Sequence, residues 1–248
     1  DRGPLEKRVL ECVDEDLLIE VALGHESGRR LYVGTTDFDV GQLVIWDMGA
    51  IAAERSEESV ELFRRVLLAS SAVPVFYPPI LFEVRGASGK IGEEMHVDGS
   101  VGSPMFIPYQ VINLGAAARL AGLKAIGASR ALTIIHNGAL TPPDETVERD
   151  TLDIAVRAFL LTASAMAQED IARLYMLSRV WDADFRFACI PGDEDVSVLD
   201  FTRADTVRLF ELGHAQGLGS QPFLARPPSH LASEEVLNIQ PVPPQGNE

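Results

Sequence analysis

The residues with the clearest chemical potential lie in the stretch MHVDGSVGSPMF, at positions 95 to 106. An apolar strand pattern ends there at Asp98, and Gly99 follows directly. Glycine lets the chain turn at once and lets another group approach closely, so Asp98 is a candidate to orient or deprotonate a nucleophile beyond a strand end. The alternative is that Asp98 caps the turn by accepting hydrogen bonds from the backbone N–H of Ser100 or Val101, and spacing alone favours this alternative.

His96 is a second candidate, because a residue two positions before Asp98 shares its face of a strand. A His–Asp arrangement for serine catalysis is conceivable, but a histidine on a half-buried strand is more often a hydrogen-bonded structural residue. A metal site would need at least one further ligand, which the sequence does not identify. No metal site is therefore predicted.

The serines offer no recognisable nucleophile in this chain. A G-x-S-x-G elbow, which would place an activated serine on a sharp strand-to-helix turn, is absent, and so is a G-x-G-x-x-G loop. The nearest matches, GASGK at 86–90 and GASRA at 127–131, lack the final glycine. Ser70 and Ser71 stand at a predicted helix end, where capping is the simpler role.

The composition is that of a globular protein and excludes some partners. Of 248 residues, 46% are hydrophobic and 23% charged, enough for one α/β domain with a sizeable core. The net charge of −16 argues against nucleic acid, because phosphate contacts need a basic face. No apolar run is long enough to predict a transmembrane segment. Cys12 and Cys189 lie in apolar sequence and are predicted to be buried, unpaired thiols.

Helix-like and strand-like segments alternate along the chain, which predicts an α/β protein. Because the strands are apolar and some connectors are short, we expect a three-layer α/β/α sandwich with some antiparallel pairs. Helices are predicted at 5–23, from Ser56 to about 70, and at 108–123, 151–175 and 203–216; strands at 31–36, 43–51, 81–86, 94–100, 131–138 and 184–191.

Two of these segments carry specific burial predictions. ALTIIHNG, at 131–138, has the sequence of a buried strand. In the helix over 151–175, the apolar stripe of Ile154, Ala158, Leu161 and Ala165 is predicted to face the core. Residues 221–248 hold six of the fifteen prolines and predict a mobile tail rather than a second domain.

Three segments of the chain resemble consecutive blocks of the patatin-like phospholipases of the bacterial type: GRRLYVGTTDFDVGQLVIWDMGAIA, LLASSAVPVFYPPI and HVDGSVGSP. The similarity continues through RALTIIHNG, DFRFACIP and ADTVRLFELGHAQG to about residue 217. We therefore interpret residues 1–220 as the C-terminal portion of a patatin-like domain, and 221–248 as the Pro-rich tail.

The resemblance implies a lipid acyl hydrolase, of the phospholipase A or esterase type, that uses a Ser–Asp dyad in place of a triad. The family's aspartate lies in a D-G-G or D-G-A motif, which matches Asp98 and Gly99 with Ser100 at the third position. Asp98 would then accept the serine proton while the serine attacks a lipid ester carbonyl. No metal or organic cofactor is implied.

The chain departs from the family pattern in two respects. Ser100 replaces the usual Gly or Ala, which would cost about 1 kcal/mol if that position needed a positive φ. The Gly-rich oxyanion loop and the serine elbow are missing, and the sequence begins DRGPLEKR without an initiator methionine or a signal-peptide pattern. We expect a companion or omitted N-terminal segment to carry the serine and complete the sheet, so that this chain alone is inactive. No localisation is predicted.

Two alternatives remain open from the sequence. A degenerate, non-catalytic relative would bind lipid or a protein partner through the same crevice. An esterase of a different design would use a serine of this chain, such as Ser100 or Ser103.

Overall fold

The computed structural model describes residues 3–86, 89–108, 130–142, 144, 146–191 and 202–228. These residues form six α-helices: α1 (Gly3–Cys12), α2 (Glu15–Glu26), α3 (Met48–Ala53), α4 (Glu57–Ser70), α5 (Thr151–Val180) and α6 (Arg203–Leu218). The strands are β1 (Tyr32–Asp37), β2 (Gln42–Asp47), β3 (Ile80–Arg85), β4 (Ile91–Asp98), β5 (Ala131–Ala139) and β6 (Asp184–Ile190). The predicted helix at 108–123 falls almost entirely outside the described residues.

The described elements group into an N-terminal region, residues 3–108, and a C-terminal region, residues 130–228. In the N-terminal region the helix predicted over 5–23 is divided, because Asp14 begins a new helix by accepting a hydrogen bond from Leu17 N–H at 2.9 Å. The predicted apolar face nevertheless meets the core, because Val13 is buried and Leu5, Val9 and Leu17 pack against the core residues.

A hairpin follows, in agreement with the antiparallel pairs expected at short connectors. β1 and β2 pair antiparallel, and Gly41 takes the positive φ of 67° that closes the turn. The second strand is shorter than predicted, since Asp47 accepts from Ala50 N–H and begins α3 in its place.

Helix α4 begins at the predicted cap, where Ser56 forms a reciprocal capping box with Ser59. Its apolar side, including Phe63 and Val66, is buried in the same core as Phe82 of the sheet. That sheet has the order β2-β1-β4-β3, and every neighbouring pair is antiparallel. The order places β4, with its C-terminal Asp98, at the centre beside β1.

The C-terminal region is built on the parallel pair β5–β6, in register from Ala131–Asp184 to His136–Cys189. The two strands are joined through α5, which packs on the pair and shares its core. The α/β class is thus confirmed. The described strands form two sheets, one of four antiparallel strands and one of two parallel strands.

Several burial predictions for the C-terminal region were wrong. β5 is a strand, but only Ile134 is buried within it, and Ile135 is 74% exposed. In α5 the predicted stripe is turned to solvent, with Ile154 and Leu161 exposed; the side that is buried consists of Ala167, Ile171, Leu174 and Ser178. The sequence pattern located these elements correctly and misjudged which side meets the core.

The cysteines are both free, as predicted, but the prediction that both are buried was wrong. Cys12 is exposed at the end of α1, and Cys189 is half-buried in β6.

The first part of the predicted tail pairs with strand β6. Leu224 forms an antiparallel bridge with Phe187 of β6, through two backbone hydrogen bonds of 2.8 and 2.9 Å. Residues 229–248 lie outside the described residues, so the mobility predicted for them stays a prediction. Among the described helices, none is long and apolar enough to cross a membrane.

Candidate functional site

Asp98 is the last residue of β4 and begins a short 3₁₀ turn over Gly99–Val101. Its Oδ1 accepts a hydrogen bond from Ser100 N–H at 2.8 Å, so the capping role considered from the sequence is present. This bond fixes the direction of the carboxylate. Among the described residues no donor reaches its second oxygen, Oδ2, so one oxygen remains available for a reacting group.

Gly99 is required by a close approach of two backbones. A Cβ at this position would lie 2.4 Å from the carbonyl oxygen of Gly34 in β1, a distance that side chains do not tolerate. Ser100, by contrast, has no left-handed backbone conformation, so the strain considered for a serine at this position does not arise. The turn therefore tolerates a serine at position 100 but no side chain at position 99.

Neighbouring segments hold the turn on both sides. Thr36 Oγ1 donates to the carbonyl of Asp98 at 3.0 Å, and Asp98 N–H donates to the carbonyl of Ala72 at 3.0 Å. Ala72 belongs to the segment after α4, and Thr36 belongs to β1. The three sequence blocks quoted above, which are distant along the chain, thus meet around Asp98.

The segment after α4 carries an unusual backbone conformation. Val75 has a φ of 76°, which is rare for a β-branched residue. The following N–H groups of Phe76 and Tyr77 both donate to the carbonyl of Val73 and hold the turn in place. Such strain costs about 1–3 kcal/mol and is concentrated at functional sites, so this loop beside Asp98 is a second feature of the candidate site.

The serines do not form a dyad with Asp98 among the described residues. Ser71 Oγ donates to the Leu67 carbonyl at the end of α4, which is the capping role expected there. Ser103 Oγ lies 2.8 Å from Asp170 Oδ2 and 3.0 Å from the carbonyl oxygen of Met105.

The Ser103–Asp170 pair is a connection between the two regions. Asp170, on α5, also accepts from Met105 N–H at 3.0 Å and from Arg173 Nη2 at 2.7 Å. Arg173 in turn donates to the carbonyl of Met105. Because three donors already occupy the carboxylate, the pair is best described as structural.

His96 does not contact Asp98, so the His–Asp pair considered from the sequence is not formed. The imidazole is 1% exposed, and its Nδ1 lies 2.8 Å from Thr35 Oγ1. Its Nε2 has no hydrogen-bond partner and lies 3.6 Å from Glu94 Oε2. Only one of the two ring nitrogens therefore has the hydrogen bond expected of a structural histidine.

Sequence reasoning missed the two carboxylates around His96. Asp37 lies directly opposite His96 in the β1–β4 register, and Glu94 lies two residues before it on β4. Each of the three residues offers one ligand atom, and these atoms all lie within 4.8 Å of one another. The spacing of Glu94 and His96 was a usable signal. The pairing of β1 with β4 was not readable from the sequence.

A cavity of about 240 Å³ lies between the ends of β5 and β6 and helix α6. It is lined by His136 and Cys189, with apolar side chains such as Leu209 and Phe223. Burial lowers the pKa of His136 below its usual value and raises the pKa of the Cys189 thiol. Cys189 is thus a thiol rather than a thiolate at neutral pH, and this cavity lacks an activated nucleophile.

Comparison with known proteins does not identify the chain: no protein-family model matches it, and no curated protein matches it.

Proposed function

We propose that this protein is part of a lipid acyl hydrolase that cleaves carboxylic esters with a Ser–Asp dyad, in which Asp98 is the base. The nucleophilic serine would come from a segment outside these 248 residues, which would also complete a three-layer α/β/α sandwich of the patatin-like type. The observation that carries the proposal is the fixed carboxylate of Asp98, held at a strand end with one oxygen available.

This geometry suits a base that acts without a histidine. The Ser100 N–H holds Oδ1, while Oδ2 has no donor among the described residues. A serine hydroxyl placed about 2.6–3.2 Å from Oδ2 would be activated by hydrogen bonding and would pass its proton to Asp98 during attack. The tight packing of Gly99 on Gly34 keeps the carboxylate in position through this step.

Apolar side chains exposed in the C-terminal region support a companion segment. Ile135, Leu161, Phe210 and Leu218 are all 46% or more exposed. A segment that pairs with this region would remove these surfaces from water and would stabilise the assembled domain. The same segment would bring the serine to the sheet.

A second candidate function is a non-catalytic module that binds lipid or protein through the same crevice. It is favoured by one observation: no serine hydroxyl of the described residues reaches Asp98 Oδ2. The two functions differ in whether a serine is activated at all, and this can be measured directly.

The decisive variant is Asp98→Asn, assayed on the chain expressed together with the coding sequence that precedes Asp1. Asparagine keeps an oxygen for the Ser100 N–H, so the turn is retained while the base is lost. We expect ester hydrolysis to fall by about 100- to 10,000-fold. The matched control is Asp14→Asn, which makes the same change at the helix cap of α2 and should leave hydrolysis unchanged.

A fluorophosphonate probe locates the activated serine. Labelling on the preceding segment, lost in Asp98→Asn and kept in Asp14→Asn, supports the dyad enzyme. Labelling on Ser100 or Ser103 would show a serine esterase of another design. Absence of labelling, together with vesicle binding that Asp98→Asn does not change, would instead establish the binding module.

A further inference from the structure

We infer that Asp37, Glu94 and His96 form a binding site for a divalent transition-metal ion of the Zn²⁺ type. Their ligand atoms lie within 4.8 Å of one another on one face of the four-stranded sheet. The inference is independent of the proposed ester hydrolysis, because none of the three residues is the base or its hydrogen-bond partner.

Strand geometry explains why the three side chains meet. Asp37 ends β1 and is the cross-strand partner of His96 on β4. Residues directly opposite each other on an antiparallel pair project to the same face, and so do residues two apart on one strand. Glu94 therefore joins His96 and Asp37 on that face.

The buried imidazole supplies the observation that points to a ligand. His96 is 1% exposed, yet its Nε2 has no hydrogen-bond partner. The distance of 3.6 Å to Glu94 Oε2 is too long for a hydrogen bond. Leaving a buried nitrogen without a partner destabilises the fold, and a bound metal ion would offset this cost.

The second ring nitrogen has an oxygen partner that can hold the ring in one tautomer. Thr35 Oγ1 accepts from Trp46 Nε1 at 2.7 Å and lies 2.8 Å from His96 Nδ1. When Nδ1 carries the proton and donates it to Thr35, Nε2 has a free lone pair. Trp46 and Phe82 pack around the ring, at centroid distances of 5.8 and 4.8 Å, and hold its orientation.

The two carboxylates provide the charge. Asp37 is 5% exposed, and its Oδ1 accepts from the N–H groups of Asp39 and Val40 in the hairpin turn. Burying a carboxylate is expensive unless a positive charge or several donors compensate it. With neutral His96, a divalent ion would balance the charges of Asp37 and Glu94.

No arginine or lysine ion pair competes for this position within the described part of the chain. The cation that packs on the same face, Arg65 of α4, lies over the Phe82 ring and donates to the carbonyl of Leu81. Neither carboxylate of the proposed site is within ion-pair distance of it.

The ligand set indicates the type of metal. One imidazole nitrogen and two carboxylate oxygens suit Zn²⁺ and its neighbours, whereas Ca²⁺ and Mg²⁺ prefer oxygen ligands alone. Zn²⁺ binds such atoms at about 2.0–2.2 Å, so the ligand atoms must approach one another slightly. Glu94, with a side chain that is 42% exposed, has the freedom to make this adjustment. Three protein ligands leave a fourth position for water.

The test is calorimetric titration of the chelator-treated 248-residue chain with Zn²⁺, with Co²⁺ visible spectra as the second readout. We expect one equivalent of Zn²⁺ to bind, to raise the thermal midpoint and to compete with Co²⁺. Glu94→Gln should weaken the affinity by more than about 100-fold. Asp37→Asn should do the same while keeping an oxygen for the hairpin turn.

The matched control is Glu93→Gln, which removes the same charge from the adjacent residue, on the opposite face of β4. It should bind Zn²⁺ as the unmodified chain does. Equal weakening in Glu93→Gln and Glu94→Gln would overturn the site, because it would show binding to the acidic surface only. Preferential binding of Ca²⁺ or Mg²⁺ would overturn the assignment of the metal. An NMR spectrum that shows both ring nitrogens of His96 protonated in the presence of Zn²⁺ would overturn the site itself, because a protonated nitrogen cannot bind the metal.

Discussion

The N-terminal and C-terminal regions bury their apolar residues to different extents. Among the described residues, the N-terminal core contains twelve buried hydrophobic side chains drawn from helices and sheet strands. The C-terminal core contains eight, and one of them, Met105, comes from the N-terminal region. The C-terminal region also leaves Ile135, Phe210 and Leu218 at 70% exposure or more. If all the helices covered one continuous sheet, the two regions would bury their apolar side chains to similar extents.

The proposed companion segment would therefore contribute most to the stability of the C-terminal region. In the N-terminal region, helices α3 and α4 contribute fully buried side chains to the core, such as Met48 and Val66. The C-terminal pair of strands depends on a few buried residues, above all Phe187, and on the Leu224 bridge across it. The candidate base Asp98 belongs to the first region, while the exposed apolar surface belongs to the second.

The largest effect is expected for Phe187→Ala in the C-terminal region. The side chain is fully buried, so its removal leaves a cavity and should lower the free energy of unfolding by about 3–5 kcal/mol. Hydrogen exchange should show loss of protection in β5, β6 and α5 while β1–β4 stay protected. Phe210→Ala is the control, because that ring is 70% exposed and its loss should change stability by less than about 0.5 kcal/mol. Equal loss of protection in both regions would show that they unfold as one unit.

The corresponding test in the N-terminal region is the substitution Gly99→Ala. The new Cβ would meet the Gly34 carbonyl at 2.4 Å, so β4 and β1 must move apart, at a cost of about 1–3 kcal/mol. Gly92→Ala, on the same strand, is the control, since nothing lies within 4 Å of its Cβ. Urea unfolding monitored by tryptophan fluorescence measures both. A stability of Gly99→Ala equal to that of Gly92→Ala would mean that the turn is not held against β1.

The same contrast explains what could be predicted from the sequence. In the N-terminal region the hairpin, the Ser56 cap and the Asp98 turn each join residues that are close along the chain, so they follow from local patterns, whereas the pairing of β1 with β4 across about sixty residues does not. In the C-terminal region β5 and β6 pair across about fifty residues, and burial depends on contacts that no local pattern encodes. The stripe of Ile154 and Leu161 has helical spacing, yet the core meets the opposite end of α5.

The residues of the candidate sites were likewise predictable only where they are close along the chain. Asp98 and Gly99 were identified from their order in the chain, because a strand followed by Asp-Gly is a local signal. Glu94 and His96 share a local spacing, but their third partner, Asp37, comes from a strand nearly sixty residues away. Asp170, which ties Ser103 to α5, has no sequence signal at all.

The smallest effect is the pH dependence contributed by His136 at the C-terminal cavity. Burial lowers the pKa of the folded protein's imidazole below 6.5, so the unfolded chain binds a proton that the folded chain does not. The stability from His136 is therefore complete above about pH 6.5 and is lost progressively as the pH falls from there through the folded pKa. Unfolding free energies at about pH 7.5 and 5.5 should differ less in His136→Gln than in the unmodified chain. His214→Gln, at an exposed position of α6, should keep the full difference. If His136→Gln also keeps it, the C-terminal cavity is open to water in solution, and the contrast between the two regions is larger than the burial of His136 indicates.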